Sequence, residues 1–399
     1  MNSKKIITVL GGGAIAKAIA GDCALAGNCV RICDLMPFAE KSLFHIAENG
    51  IKIYGPQMNL QGFERSGTGM PDMVTTDVAE AMNGADIIIV ATSVAGHDPF
   101  FDRLIPHLED GMVIHIIPDN FGALILRKKM REVNCKRNVI IGGWAGPPFD
   151  SRVDTLGGIV MPNVKLGYRA MLARGAALPF SDQKEFIEST KYIAAFDSIL
   201  AGEGIQETDT ILDVCLSNVN PLIHTVGLLL GASVLENFTT MLGQKIEDFS
   251  IYSHAFCPTI SKVQYAFYCE QLSIAQAMGV NMAQYEERQF FSRESLVSTK
   301  YMGPDFTIPF DRVNPIGWGT GPTSVNSRYL TEDIPVGTKV FHLLGKRYGV
   351  STPVMDAMIT LASIVLGIDY NKEGFSLETV DIEGLSKDEL LNYVRTGSR

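Results

Sequence analysis

Three groups of residues have types and spacings suited to chemistry. The first is Gly11-Gly12-Gly13-Ala14-Ile15-Ala16, a Gly-x-Gly-x-x-Ala turn, with Asp34 following 21 residues after Gly13. Gly11 permits a tight turn, Gly13 puts no side chain in the way of a pyrophosphate, and Ala16 lets a following helix pack closely on its strand. The start of that helix offers N–H groups and a positive dipole end to phosphates. A carboxylate at position 34 accepts hydrogen bonds from ribose hydroxyls and repels the extra phosphate of NADP. The pattern therefore predicts a dinucleotide site that prefers NAD(H) to NADP(H).

The second group lies in Ser217-Asn218-Val219-Asn220-Pro221-Leu222-Ile223-His224. Asn220 and His224 are four apart and share a face if the segment is helical, and Pro221 is tolerated in a first turn. An amide and an imidazole on one face can bind a polar substrate and move a proton. The third group is Gly321–Pro335, a polar, acidic stretch between helical segments that contains Arg328 and Asp333. It offers a guanidinium for a carboxylate and an acid able to orient an imidazole. Each of these two groups has an ordinary alternative: a packed helical histidine, and a surface loop.

The elements around the glycine turn fit a Rossmann arrangement. Residues 6–10 (IITVL) read as a buried strand, AIAKAIAGDCALAG as a helix and CVRICD as a second strand ending at Asp34. The α/β rhythm continues through strands at 85–92, 111–120 and 138–145, with residues 51–63 as an inserted hairpin. Ligands in such sheets lie beyond the C-terminal strand ends, which selects Thr92, Ser93, Val94, Pro118, Asp119 and Asn120 as candidate contacts for the nicotinamide half. His115, inside an apolar strand, reads as a satisfied interior histidine, while His97, in a loop after a strand end, is a candidate ligand contact. From about residue 200 helical spacing dominates, and Thr352 before Pro353 matches an N-cap followed by a proline in the first helical position. The expected fold class is an α/β Rossmann N-terminal domain, residues 1–200, plus an all-α C-terminal domain, residues 201–399.

Composition narrows the function classes. The 399 residues are 46% hydrophobic and 20% charged, which excludes a disordered chain. No uninterrupted apolar run approaches the ~18–20 residues that span a bilayer. The net charge of −10 argues against nucleic acid and anionic membranes as partners. Residues 1–200 carry a net −1 and residues 201–399 a net −9, of which −6 falls within 201–260, around Asn220 and His224. The seven cysteines are odd in number and lack Cys-x-x-Cys spacing, so they read as reduced thiols of a cytoplasmic protein with no zinc site. Sixteen Met and wide apolar helix faces suit either a large core or a homodimer interface.

Taken together, the glycine turn, the Asn-Pro-x-x-His segment and Arg-Tyr-Leu-Thr-Glu-Asp-Ile-Pro (328–335) give the chain a resemblance to the opine dehydrogenase family, the octopine/nopaline dehydrogenase group, over nearly its whole length. Pro147–Val153 resembles that family's segment linking the last Rossmann strand to the second domain. The resemblance implies an NAD(P)H-dependent reductive condensation of an amino acid with a 2-oxo acid, giving an N-(carboxyalkyl)amino acid. It also implies His224 and Asp333 as the acid/base pair, Asn220 as a substrate-positioning residue and Arg328 as a carboxylate ligand. The acidic second half needs local cations to bind an oxo acid, and Arg328 and Arg152 are the candidates. Two competing readings are a ketopantoate reductase-like or 3-hydroxyacid dehydrogenase-like enzyme acting on a simple oxo acid, and a non-catalytic NAD-binding sensor. The reductases lack the long Arg-to-Pro segment, and His224, Asp333 and Arg328 together argue against a sensor.

Overall fold

The computed structural model describes residues 4–57, 62–287 and 320–399. These form two compact units, one of residues up to Val214 joined by Glu389–Arg399, the other between Cys215 and Asp388.

Among the described residues, twelve strands lie in the first unit: β1 (Ile6–Leu10), β2 (Cys29–Cys33), β3 (Ile51–Tyr54), β4 (Gly67–Gly69), β5 (Met73–Thr75), β6 (Ile87–Val90), β7 (Val113–Ile116), β8 (Ile140–Trp144), β9 (Phe149–Leu156), β10 (Ile159–Arg169), β11 (Leu172–Ala177) and β12 (Gly204–Gln206). Eight form one sheet in the order β12-β11-β8-β7-β6-β1-β2-β5. It is parallel except where β11 runs antiparallel to β8. The central strands are continuous apolar runs because both faces are covered; β6 is buried throughout and β1 in all but its first residue. Strand order reverses at β1, between β2 and β6, where a doubly wound sheet opens its ligand crevice.

The interior histidine reading holds for His115. Its Nδ1 accepts from Trp144 Nε1 at 3.1 Å, and its Nε2 lies 2.8 Å from Ser189 Oγ. Burial pushes its pKa down to about 3, so it stays neutral between Trp144 and Phe186.

The remaining strands form a second sheet, β4-β3-β10-β9, which changes two expectations. The hairpin begun at 51 returns only at Gly67–Gly69, beyond residue 63, and residues 58–61 lie outside the described part. Pro147–Val153 is not a link to a second domain. Phe149 and Ser151 point inward at the start of β9, which pairs antiparallel with β10 inside the first unit. Behind these strands Arg169 is fully buried and forks onto Asp22 of the helix Ala14–Leu25, with Arg65 donating to the same carboxylate at 2.9 Å.

The second unit is helical, with long helices Val226–Leu242, Pro258–Met278, Lys339–Tyr348 and Pro353–Leu366. By length and composition the stretch Ile211–Leu242 qualifies as a membrane span, against the expectation from apolar runs, but 72% of its most apolar window is buried, as in a core helix. Thr352 occupies the N-cap position yet does not cap. Its Oγ1 bonds His342 Nδ1 at 2.7 Å, and the carboxylate of Glu270 instead accepts from the N–H groups of Val354 and Met355 at 2.7 and 3.0 Å.

Candidate active site

In the first unit, the peptide N–H of Gly11 bonds the Cys33 carbonyl, and that of Ala91 bonds the Leu10 carbonyl, so the ends of β2 and β6 flank the glycine turn. Gly11 has φ +118°, and a Cβ there would stand 2.7 Å from the Ala91 carbonyl oxygen; only glycine fits. A Cβ on Gly13 would meet nothing within 4 Å, leaving room above the turn. The helix Ala14–Leu25 begins after Gly13 with no side-chain cap and no acid in its first turn, so its leading N–H groups suit an anion. Ala16 is fully buried against the sheet. These residues fit a dinucleotide.

Asp34 is nearly buried at the end of β2. Its Oδ1 accepts from Leu35 N–H at 2.9 Å and its Oδ2 from Ser42 Oγ at 2.5 Å. Burial raises its pKa, opposed by the Ser42 and Leu35 hydrogen bonds and by Lys17. Lys17 is buried in the first helix, donating to the carbonyls of Val160 and Met161 at 2.6 and 3.1 Å, and burial lowers its pKa to about 8.

Thr92 and Ser93 lie just past β6, where Ser93 opens the helix Val94–Leu104 and Thr92 packs over Gly96. Asp119 serves the fold, since its Oδ1 accepts from Ala123 N–H at 2.9 Å at the start of the helix Gly122–Glu132. His97 is buried and packs against Phe101 rather than standing in an open loop. Arg152, on β9, is ion-paired to Asp150 at 2.9 Å.

In the second unit His224 and Asp333, 109 residues apart in sequence, come together: His224 Nδ1 lies 2.8 Å from Asp333 Oδ2. Each sits in a widened turn with i→i+5 bonding, Pro221–Thr225 for the histidine and Asp333–Thr338 for the aspartate. Pro221 and Pro335 supply a reason, since a proline lacks the N–H that an α-helix needs and crowds the carbonyl four residues back. Side chains satisfy the carbonyls released. Thr225 Oγ1 donates to Pro221 O, Gln264 Nε2 to Ile223 O at 3.4 Å, and Thr338 Oγ1 to Asp333 O at 3.1 Å. The two turns pack so closely that a Cβ on Gly337 would overlap Pro221 Cγ. The third group is thus helical from Arg328 onward, not a surface loop.

The rest of the imidazole is also engaged. Tyr329 stacks on it at 3.8 Å between centroids with planes 5° apart, and Tyr252 Oη lies 3.1 Å from Nε2. Burial raises the Asp333 pKa, opposed by His224. With Nδ1–H donating to this carboxylate, Nε2 is the basic nitrogen. Tyr252 is not evident from sequence: nothing in the mixed segment Phe249–Phe256 marks it, and a third widened turn, Ile251–Ala255, brings it to His224. Asn220 opens the histidine turn, with its N–H bonded to Asn218 Oδ1 at 2.9 Å. Arg328 is mostly exposed and reaches Glu332 Oε2 at 2.7 Å.

Comparison with known proteins bears on family and fold. The family described as NAD/NADP octopine/nopaline dehydrogenase, alpha-helical domain, matches residues 207–366. An opine dehydrogenase of Arthrobacter sp. (strain 1C) is 26% identical, over 97% of this chain and 98% of its own length. A solved octopine dehydrogenase with NADH and L-arginine superposes with a TM-score of 0.69 at 18% identity, covering 99% of both chains. A yersinopine dehydrogenase with NADP+ gives 0.66 at 13%, again over 99% of both. The structural likenesses concern the fold: a Rossmann-like sheet followed by a helical domain. The match over the helical region and the end-to-end sequence similarity make this chain similar to the opine dehydrogenases, with the same fold of a Rossmann-like sheet followed by a helical domain.

Proposed function

We propose that the protein is an NAD(P)H-dependent opine dehydrogenase, an oxidoreductase acting on CH–NH donors, that condenses an amino acid with a 2-oxo acid and reduces the resulting imine. The observation that carries this reading is the His224–Asp333 pair, built by two interlocked turns in the region that matches the family. A nicotinamide, when bound, supplies the hydride that reduces the imine carbon.

The chain's own residues do the remaining work. Gly11–Ala16 and the helix start hold the pyrophosphate, with Thr92 and Ser93 at the neighbouring strand end. Asp34, oriented by Ser42 and Leu35, accepts from the ribose hydroxyls and favours NADH over NADPH. His224 exchanges protons with the reacting amine and hydroxyl, and Asp333 fixes its tautomer and offsets the imidazolium charge. Asn220 positions substrate, and Arg328 swings from Glu332 to a substrate carboxylate. The net −6 of residues 201–260 favours a cationic amino donor, as judged by kcat/KM for arginine against a neutral amino acid.

His224→Ala tests the assignment. Turnover falls ~10²–10⁴-fold while NADH affinity is retained; near wild-type turnover removes His224 from the mechanism. A kcat/KM favouring NADPH would refute the role given to Asp34.

A further inference from the structure

We infer that Tyr252 is a third member of the acid/base machinery, carrying the proton between His224 and the substrate; this rests on the opine dehydrogenase reading above. The imidazole has few open positions. Nδ1 is taken by Asp333 at 2.8 Å, and one ring face is covered by Tyr329 at 3.8 Å. Nε2, where a proton must leave or arrive, faces the Tyr252 hydroxyl at 3.1 Å. A proton leaving His224 in this arrangement passes to Tyr252 Oη.

The hydroxyl suits that place because it both donates and accepts. When His224 is neutral, Nδ1–H donates to Asp333 and Tyr252 O–H donates to Nε2. When His224 is protonated, Nε2–H donates to Tyr252 Oη. The tyrosine ring is held independently of its hydroxyl. It is nine-tenths buried and packs edge-to-face on Phe256 with centroids 5.4 Å apart. His254, on the same turn, is turned to other work: its Nδ1 accepts from Ser250 N–H at 3.0 Å and its ring packs on Phe238 and Phe249. Among the described residues, the charged groups beside the pair are Asp333 on the imidazole, with Glu332 and Arg328 paired to each other on the preceding turn.

The relay acts after the amine has added to the 2-oxo acid to give a carbinolamine. Tyr252 gives its O–H proton to the carbinolamine hydroxyl, the C–O bond breaks and water leaves, and the nitrogen lone pair forms the C=N bond of an iminium. The tyrosine oxygen takes the Nε2 proton of protonated His224, leaving neutral imidazole hydrogen-bonded to Asp333. One proton has moved from His224 to the departing water, with no change of oxidation state.

Tyr252→Phe keeps the ring and removes the relay. The expected result is a ~10²–10⁴-fold loss in kcat for amine-dependent NADH oxidation, with NADH affinity by fluorescence titration and the melting temperature close to wild type. Replacing Tyr252 with 3-fluorotyrosine, whose phenol is more acidic, should restore turnover and move the alkaline limb of the pH–rate profile to lower pH, a readout that a packing role would not move. Tyr252→Phe turnover within threefold of wild type with an unchanged pH profile overturns the proposal. So does a fluorotyrosine enzyme with a wild-type profile. A wild-type enzyme that oxidises NADH with no amine and oxo-acid pair would instead refute the functional reading, and the relay with it.

Discussion

Asp333→Asn isolates the charge of the proposed pair while keeping its shape. The carboxylate lies 2.8 Å from His224 Nδ1, in a turn braced by Thr338 and locked against Pro221 at Gly337. The amide should therefore occupy the same position. Two losses follow. First, the imidazolium formed during turnover loses its counter-charge. At a charge separation of ~4 Å and an effective dielectric constant of ~20 that attraction is ~4 kcal/mol, and ~1.4 kcal/mol corresponds to tenfold in rate. Second, the amide can donate to Nδ1 and reverse the tautomer, placing a hydrogen on Nε2 where Tyr252 now donates. Together they predict a fall in kcat of about 10³-fold, read by NADH absorbance at saturating substrates. Fluorescence titration should show unchanged NADH binding, because Gly11–Ala16 and Asp34 are untouched. A kcat within threefold of wild type, with the variant folded, would refute the idea that Asp333 works through its charge on His224.

Three further outcomes rest on packing and burial. Gly337→Ala forces the two widened turns apart at Pro221 and should cost ~1–3 kcal/mol of stability, as overpacking does, with kcat reduced more than NADH affinity; denaturant melts and steady-state kinetics check both. Asp22→Ala removes the buried carboxylate onto which Arg169 forks and should cost ~3–5 kcal/mol in urea unfolding. Lys17 is charged in both states below about pH 8; between there and its ordinary value near 10.5 the unfolded chain binds the extra proton, so stability contributed by this residue rises with pH. Comparing melting temperatures of wild type and Lys17→Met from about pH 7 to 10 should show that rise only in wild type.

The glycine turn and first βαβ unit are legible in the sequence because strand, glycine turn, helix and second strand follow one another within about thirty residues. The parallel strands are legible from their unbroken apolar runs. The small sheet is not, because β3 and β10 join across more than a hundred residues and the pattern of Phe149 and Ser151 is that of any short half-buried segment. His224 and Asp333 stand out by type and by resemblance; their pairing depends on two proline-widened turns that no periodicity announces. Tyr252 is hidden because one aromatic in IYSHAF looks like core until the fold gives its hydroxyl a partner. Thr352 reads as a cap until its hydroxyl finds a better partner in His342, while Glu270 caps the helix from a distance of more than eighty residues.

Above all, reduction should require both an amine and an oxo acid. A matrix of amino acids against 2-oxo acids, followed at the NADH absorbance with each oxo acid alone as control, decides the point. NADH consumption is expected only where both substrates are present, with a product of the mass of an N-(carboxyalkyl)amino acid. NADH binding without turnover across the whole matrix would mark a protein that binds the nucleotide and performs no such reaction. Equal consumption with an oxo acid alone would contradict the proposed condensation and mark a simple oxo-acid reductase.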